Sequence, residues 1–344
     1  MTKTITFFNN KGGVGKTTLA CNFASFLAKA GRRVLVLDLD PQCNSTQLLL
    51  PETLWEGIYG DTQASSRKSI LSLFNSILEG DSSLNTEELP LVESRRFSVM
   101  VLPGHPSLST LEDTFSASWV DFRGGQLGPA RRTAWLRYLV ASLQGAFDVV
   151  VIDVSPSLGA LNRTSLLGSD YFVTPMAPDL FSLFALDNIS VWFERWIGEY
   201  AHGWKSLQSQ QGSLPKEVLP EDLAVRQGFL GYTVQQYVTK TRGGGERRAV
   251  VAYDTHRAQI PARAEGLTRY SRYSATELDL GTVPNMFAMV PLAQSAHSPI
   301  SGLSKEDGIR GSQISQHQRY VEQLSGIFER LESRAFQRTA QQPL

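Results

Sequence analysis

Apolar residues along this 344-residue chain cluster in short continuous runs, separated by glycines and by stretches with helical spacing. Residues 4–8 are β-branched and aromatic. Glycines at 12, 13 and 15 then break the run, and Leu19, Ala20, Phe23, Ala24, Phe26 and Leu27 recur at the spacing of a helix. Gly31 reads as the stop of that helix, and 33–38 as a second buried strand ending in an acid. The same grammar recurs at 97–102, 147–153, 171–174, around 229–238 and at 286–290. Strands this uniformly apolar are expected where helices cover both faces of a mostly parallel sheet, so the pattern predicts an α/β, doubly wound architecture.

Residues 309–336 close the chain with an amphipathic helical pattern, carried by Ile314, Tyr320, Val321, Leu324, Ile327, Phe328 and Leu331. The length is about twice the ~150 residues of a typical domain. Three weakly patterned segments, about 51–95, 201–225 and 265–285, read as insertions into one domain spanning 1–344. No run approaches the ~18 apolar residues of a membrane span, and the N-terminal apolar run meets Asn9, Asn10 and Lys11 too early for a signal peptide. No membrane partner is expected. Two cysteines, Cys21 and Cys43, without CxxC spacing, argue against a disulfide framework and a zinc site, and a cytoplasmic location is the default.

The strongest chemistry lies between the first strand and the first helix, in Lys11-Gly12-Gly13-Val14-Gly15-Lys16-Thr17-Thr18. A glycine-rich loop in this position points successive backbone N–H groups at phosphates and sets them at the positive end of a helix dipole. Gly12, Gly13, Val14 and Gly15 would form the cradle, and Lys16 would neutralise the β and γ oxygens. Thr17 is placed to ligate magnesium and Thr18 to donate to the α-phosphate.

A second lysine, Lys11, stands at the head of the motif. In this the chain resembles the deviant Walker A ATPases of the ParA, Soj and MinD type. Asp38-Leu39-Asp40-Pro41-Gln42 resembles the family's first switch, and residues 148–159, from Asp148 through Asp153 to Gly159, resemble its Walker B strand and second switch. Residues 173–179 are similar to the Pro-rich segment after the next strand. The resemblance implies a P-loop NTPase that takes ATP and Mg2+ and forms an ATP-dependent homodimer. Lys11 would then reach the nucleotide of the opposite subunit, Asp40 would orient the attacking water, Asp153 would hold magnesium through water, and Asp38 would support that shell. Three departures stand out: Cys43 where a Gly is usual, Ser155 where a Pro is usual, and 290–294 without the Arg that commonly follows its Pro. The base-binding residues stay open.

Net charge is zero, with 33 basic and 33 acidic residues, which excludes a polycation built as a whole for nucleic acid. The charges are nonetheless separated. Residues 51–95 carry eight acids against three bases, whereas 240–273 carry eight bases against three acids. In ParA-like proteins nonspecific DNA binding uses basic residues of the C-terminal half, so Arg242, Arg247 and Arg248, beside a triple glycine, are candidates for backbone contact. The other reading is a solvated loop whose charges pair with the acidic 51–95 segment. Two functions follow. One is a partition or positioning ATPase that binds DNA in its ATP state, associates with the nucleoid and is reset by an activating protein. The alternative is a nucleotide-gated scaffold that recruits a protein effector, with DNA incidental.

Overall fold

The structure, a computed structural model, describes residues 1–59, 67–81, 84–211, 219–236 and 246–336. Its strands in chain order are β1 (Lys3–Phe7), β2 (Val34–Leu39), β3 (Val92–Ser94), β4 (Val99–Leu102), β5 (Val149–Val154), β6 (Tyr171–Met176), β7 (Phe229–Gln235) and β8 (Asp279–Val283). They form one sheet in the order β3-β4-β2-β5-β1-β6-β7-β8. Every pairing is parallel except the β3–β4 edge hairpin. The doubly wound, mostly parallel expectation is met, and the molecule has the P-loop NTPase fold.

Alternation along the strands sends side chains into two cores. Leu35, Leu37, Val150 and Ile152 pack with the helices Leu71–Leu78, Leu111–Arg123, Trp135–Ser142, Ala160–Gly168 and Leu180–Gln211. Val34, Val36, Val149 and Val151 pack on the other face, with the helices Lys16–Lys29 and Gln313–Phe336. Strands β2 and β5 are buried at every position, which fits sequences that are apolar but for one aspartate each, Asp38 and Asp153. Each fully buried aliphatic side chain contributes about 1.5–3 kcal/mol relative to exposure. The C-terminal amphipathic pattern is a helix from Gln313, with Tyr320, Leu324, Ile327, Phe328, Leu331 and Ala335 buried.

Two strand expectations change. Residues 286–290 are not a strand; Met289 opens the helix Met289–Ser295. A five-residue apolar run has no periodicity to separate strand from helix start. The edge strand is instead β8, a weakly apolar Asp-Leu-Gly-Thr-Val inside the 265–285 segment, recruited by pairing with β7. The strand expected at 97–102 starts at Val99, after Ser98 makes the β3–β4 turn with φ 59°.

The chain leaves the carboxyl end of β1 between neighbours that lie on opposite sides, β5 and β6. In such sheets the crevice for a ligand opens at this topological switch point. Residues 8–18 occupy it.

Candidate functional site

Gly15 caps the helix Lys16–Lys29 in the left-handed region, with φ 82°, which lets the loop turn directly into the helix. A methyl added there would also collide with Gln235. Around the loop lies a cavity of about 280 Å³, lined by the glycines, Lys16, Thr17 and Thr18, and closed by Asp40, Pro156 and Gln294. The sequence-predicted cradle and Asp40 therefore meet in one place. Val14 is buried under the loop. Lys16 is only 7% exposed, and its Nζ donates to the Lys11 carbonyl at 3.0 Å. Burial lowers its pKa, opposed by the nearby charges of Asp153 and Asp40.

Asp38 and Asp153 are register partners at the ends of β2 and β5. Burial pushes the Asp153 carboxyl up to about 6, and burial together with the charge of Asp153 pushes Asp38 up to about 7. Asp153 Oδ2 accepts from the hydroxyls of Thr17 and Ser45, both at 2.7 Å, whereas its buried Oδ1 has no hydrogen-bond partner. A buried carboxylate oxygen left unpaired beside two hydroxyls matches a hard oxygen-seeking cation. No group of three or more His, Cys, Asp or Glu able to hold a metal occurs among the described residues. That donor set fits magnesium, which takes one or two protein oxygens and completes its shell with water and phosphate.

Asp38 is placed differently from a metal ligand. Its Oδ2 accepts from Thr46 N at 2.8 Å and Thr46 Oγ1 at 2.6 Å, and its Oδ1 from Asp40 N at 3.2 Å. Gly104 N donates to the same Thr46 hydroxyl at 2.8 Å, so close that a methyl at Gly104 would press on the Asp38 carboxyl. Asp38 thus holds the first switch loop in shape. Ser45 and Thr46, fully buried at the start of Asn44–Leu49, are not legible from the sequence; two adjacent hydroxyls three and four residues after the Asp40-Pro41-Gln42 run are the one cue.

Cys43 adopts φ 55°, the left-handed conformation, with its thiol buried. This explains why glycine is usual there: a Cβ in that conformation costs about 1 kcal/mol. Cys43→Gly is expected to leave the melting temperature unchanged or raise it, whereas the β-branched Cys43→Val lowers it by several degrees, as read by thermal denaturation.

Lys11 sits at the rim. Its ammonium forms an ion pair with Asp179, just after β6, and lies 6.0 Å from the Phe181 ring. Within one chain it therefore has a partner 168 residues away, where sequence reasoning sends it to a second subunit. Asp179 carries a lowered pKa: Lys11 and Ser182 favour its charged form and outweigh the opposing effect of burial.

A second cavity, about 170 Å³, adjoins Gly15 and Thr18 and is walled by Gln235, Gln236, Pro284 and Asn285. The Val-Pro pair at the strand end is thus 283–284, not 290–291. The misplaced strand hid this wall.

Of the DNA candidates, Arg242 lies outside the described residues, as do the side chains of Arg247 and Arg248, which begin the helix Glu246–Ala264. Further along the basic stretch, Arg263 pairs with Asp187 and Arg269 with Glu194 at 3.1 Å, both acids belonging to Leu180–Gln211 rather than to 51–95. Arg257 donates to the Thr282 hydroxyl at 2.7 Å.

A sequence profile described as an AAA domain matches residues 2–199, more than half of the chain. The chain belongs to this family, as a ParA-type ATPase. It is 34% identical over 188 residues to the virulence plasmid ParA family protein pGP5-D of Chlamydia psittaci, covering 54% of this chain and 61% of that one. It is 33% identical over 189 residues to the chromosome partitioning protein ParA of Caulobacter vibrioides, covering 54% and 60%. The chain thus spans about three-fifths of the length of the curated relatives it matches. Among solved structures, protein DIP2308 of Corynebacterium diphtheriae is 36% identical with a TM-score of 0.74, over 97% of this chain and 99% of that one. A variant of Cyanothece McdA in complex with ATP shares the fold at 15% identity, with a TM-score of 0.60 over 96% of each chain. No described helix is long and apolar enough to cross a membrane.

Proposed function

We propose that this protein is an ATP-dependent dimerising ATPase that positions cargo by binding DNA without sequence preference in its ATP state and is reset when a partner protein stimulates hydrolysis. The observation that carries this reading is the convergence of Lys16, Thr17 and Asp40 on the glycine-loop cavity, with Asp153, one of whose oxygens is unpaired, directly behind Thr17. ATP would lay its phosphates along Gly12 to Thr18, and the cavity between Gln235 and Asn285 is the seat for its base. Thr17 and Asp153 would hold a magnesium ion, whose charge offsets that of the β- and γ-phosphates. Asp40 would orient the attacking water. Lys11 would leave Asp179 on dimerisation and stabilise the transferring phosphoryl group from across the interface, so a single protomer hydrolyses slowly.

A second reading, the nucleotide-gated scaffold that recruits a protein effector, is favoured by one observation. Two described arginines of the basic stretch are already paired with carboxylates and so are poorly placed to neutralise phosphates. Sedimentation with ATP and Mg2+, with and without duplex DNA at several salt concentrations, separates the two. Wild type should dimerise with ATP and bind DNA with an affinity that falls steeply as salt rises, and Lys11→Ala should bind ATP yet fail to dimerise or turn over. A nucleotide-dependent dimer that ignores DNA at every salt moves the assignment to the scaffold. Normal dimerisation and turnover by Lys11→Ala overturns the role given to that lysine.

A further inference from the structure

The loop 155–159 follows β5 and enters the helix Ala160–Gly168, and its Pro156 both lines the phosphate cavity and lies opposite Gly12, where it is the first side chain an added methyl would meet. Apart from Leu158, which packs against the core, the loop's two serines, proline and glycine have little intrinsic reason to stay in one place. It is held from two sides.

From within, Asn162 Nδ2 lies 2.8 Å from the Ser155 carbonyl and 2.9 Å from that of Ser157, with both serine hydroxyls at 3.1 Å. The hydroxyls are 3.0 Å from each other. Ser155, which departs from the family's usual proline, thus takes part in this polar knot through a hydroxyl that a proline lacks.

From outside, the loop meets a carboxylate that belongs to a different element. Glu112, in the first turn of Leu111–Arg123, accepts from Ala160 N at 2.5 Å and from Leu161 N at 3.3 Å. Those are orphan donors at the start of the helix Ala160–Gly168, which has no capping side chain of its own. A carboxylate there satisfies two N–H groups and faces the positive end of the dipole. The approach is tight enough that a methyl at Gly159 would collide with it.

We propose that Glu112 is a positioning residue for phosphoryl transfer: by capping the helix Ala160–Gly168 from a neighbouring helix, it fixes the loop that carries Pro156 over the phosphate cradle. Glu112 does not line the cavity, so it acts on turnover through the loop rather than by touching ATP. Without the clamp, the glycine loop, Lys16 and Thr17 stay in place and still bind nucleotide. The wall that orders the reacting end loosens, and turnover falls because fewer bound complexes hold the reactive geometry.

This inference rests on the ATPase reading, so its test includes a measurement independent of turnover. Steady-state hydrolysis, equilibrium binding of ATP with Mg2+ and hydrogen exchange of the segment 155–163 are compared for wild type, Glu112→Ala and Glu112→Gln. Glu112→Ala should lower kcat about tenfold, leave the dissociation constant for ATP within about threefold, and speed exchange at residues 159–163. Glu112→Gln keeps an oxygen in the place of Oε2, which alone accepts from both N–H groups, and should recover most of the rate. The inference is overturned if Glu112→Ala turns over within about twofold of wild type despite faster exchange, or if kcat and ATP affinity collapse together. Should Glu112→Ala fail to fold, Glu112→Asp, whose carboxylate is one methylene too short to reach Ala160 N, takes its place: kcat within about twofold of wild type overturns the assignment. If wild type hydrolyses no ATP, the ATPase reading fails on its own. The inference is then judged by whether ATP and Mg2+ slow exchange at 155–158 in wild type but not in the variant; equal slowing in both overturns it.

Discussion

Lys16→Ala is expected to weaken ATP binding by at least about 100-fold, close to 3 kcal/mol, with little change in fold stability. Lys16 is buried and is the loop's cation for the phosphate cavity, with its Nζ held at 3.0 Å from the Lys11 carbonyl. Unit charges about 4 Å apart at an effective dielectric near 20 interact by roughly 4 kcal/mol, and a triphosphate offers several. Stability should hold because burial already disfavours the charged lysine, as its lowered pKa records, so its removal relieves a desolvation cost. Titration with a fluorescent ATP analogue measures the loss, and thermal denaturation checks the fold. An affinity within tenfold of wild type means that the phosphates bind elsewhere.

Asp40→Ala should retain ATP binding and lose turnover by about 10²–10³-fold, leaving an ATP-bound state that persists. Asp40 is 5% exposed, lines the cavity and accepts from Gln42 N at 2.9 Å, which fixes its carboxylate against the loop. Because the alanine also removes that hydrogen bond, Asp40→Asn is the cleaner partner: its amide oxygen still accepts from Gln42, but it carries no charge to orient a water. Both variants should be slow in single-turnover hydrolysis. Asparagine at near wild-type rate would assign Asp40 to loop architecture alone.

Local pattern made much of this site legible. The glycine loop lies between a β-branched run and a helical one, and the carboxylates Asp38, Asp40 and Asp153 end apolar runs, so each announced both its element and its place at the sheet's carboxyl edge. The approach of the loop's Thr17 to Asp153 follows from that placement, since β1, β2 and β5 are neighbours. The strand β8 was not legible. Asp-Leu-Gly-Thr-Val has no run long enough to read, and its strand state comes from the edge of β7 that it covers. Mistaking 286–290 for that strand also displaced the second cavity's wall by seven residues. The total charge was equally mute about partners: the ion pairs of Arg263 and Arg269 come from a helix about 75 residues earlier, chosen by how two helices lie side by side.

The sequence by itself determined the fold class, the phosphate cradle and the chemical identity of its cation and carboxylates, because glycine conformations, strand hydrophobicity and charge at strand ends are local properties. Only the tertiary structure decided which of those groups line the cavity and which hold others in place. Asp38 clasps Thr46, Lys11 turns to Asp179, and Glu112 caps a helix 48 residues away. The last two are contacts between segments distant in the chain and the first spans a non-periodic turn, and no periodicity encodes such contacts, since they arise when the fold brings strand ends and helix starts to one edge.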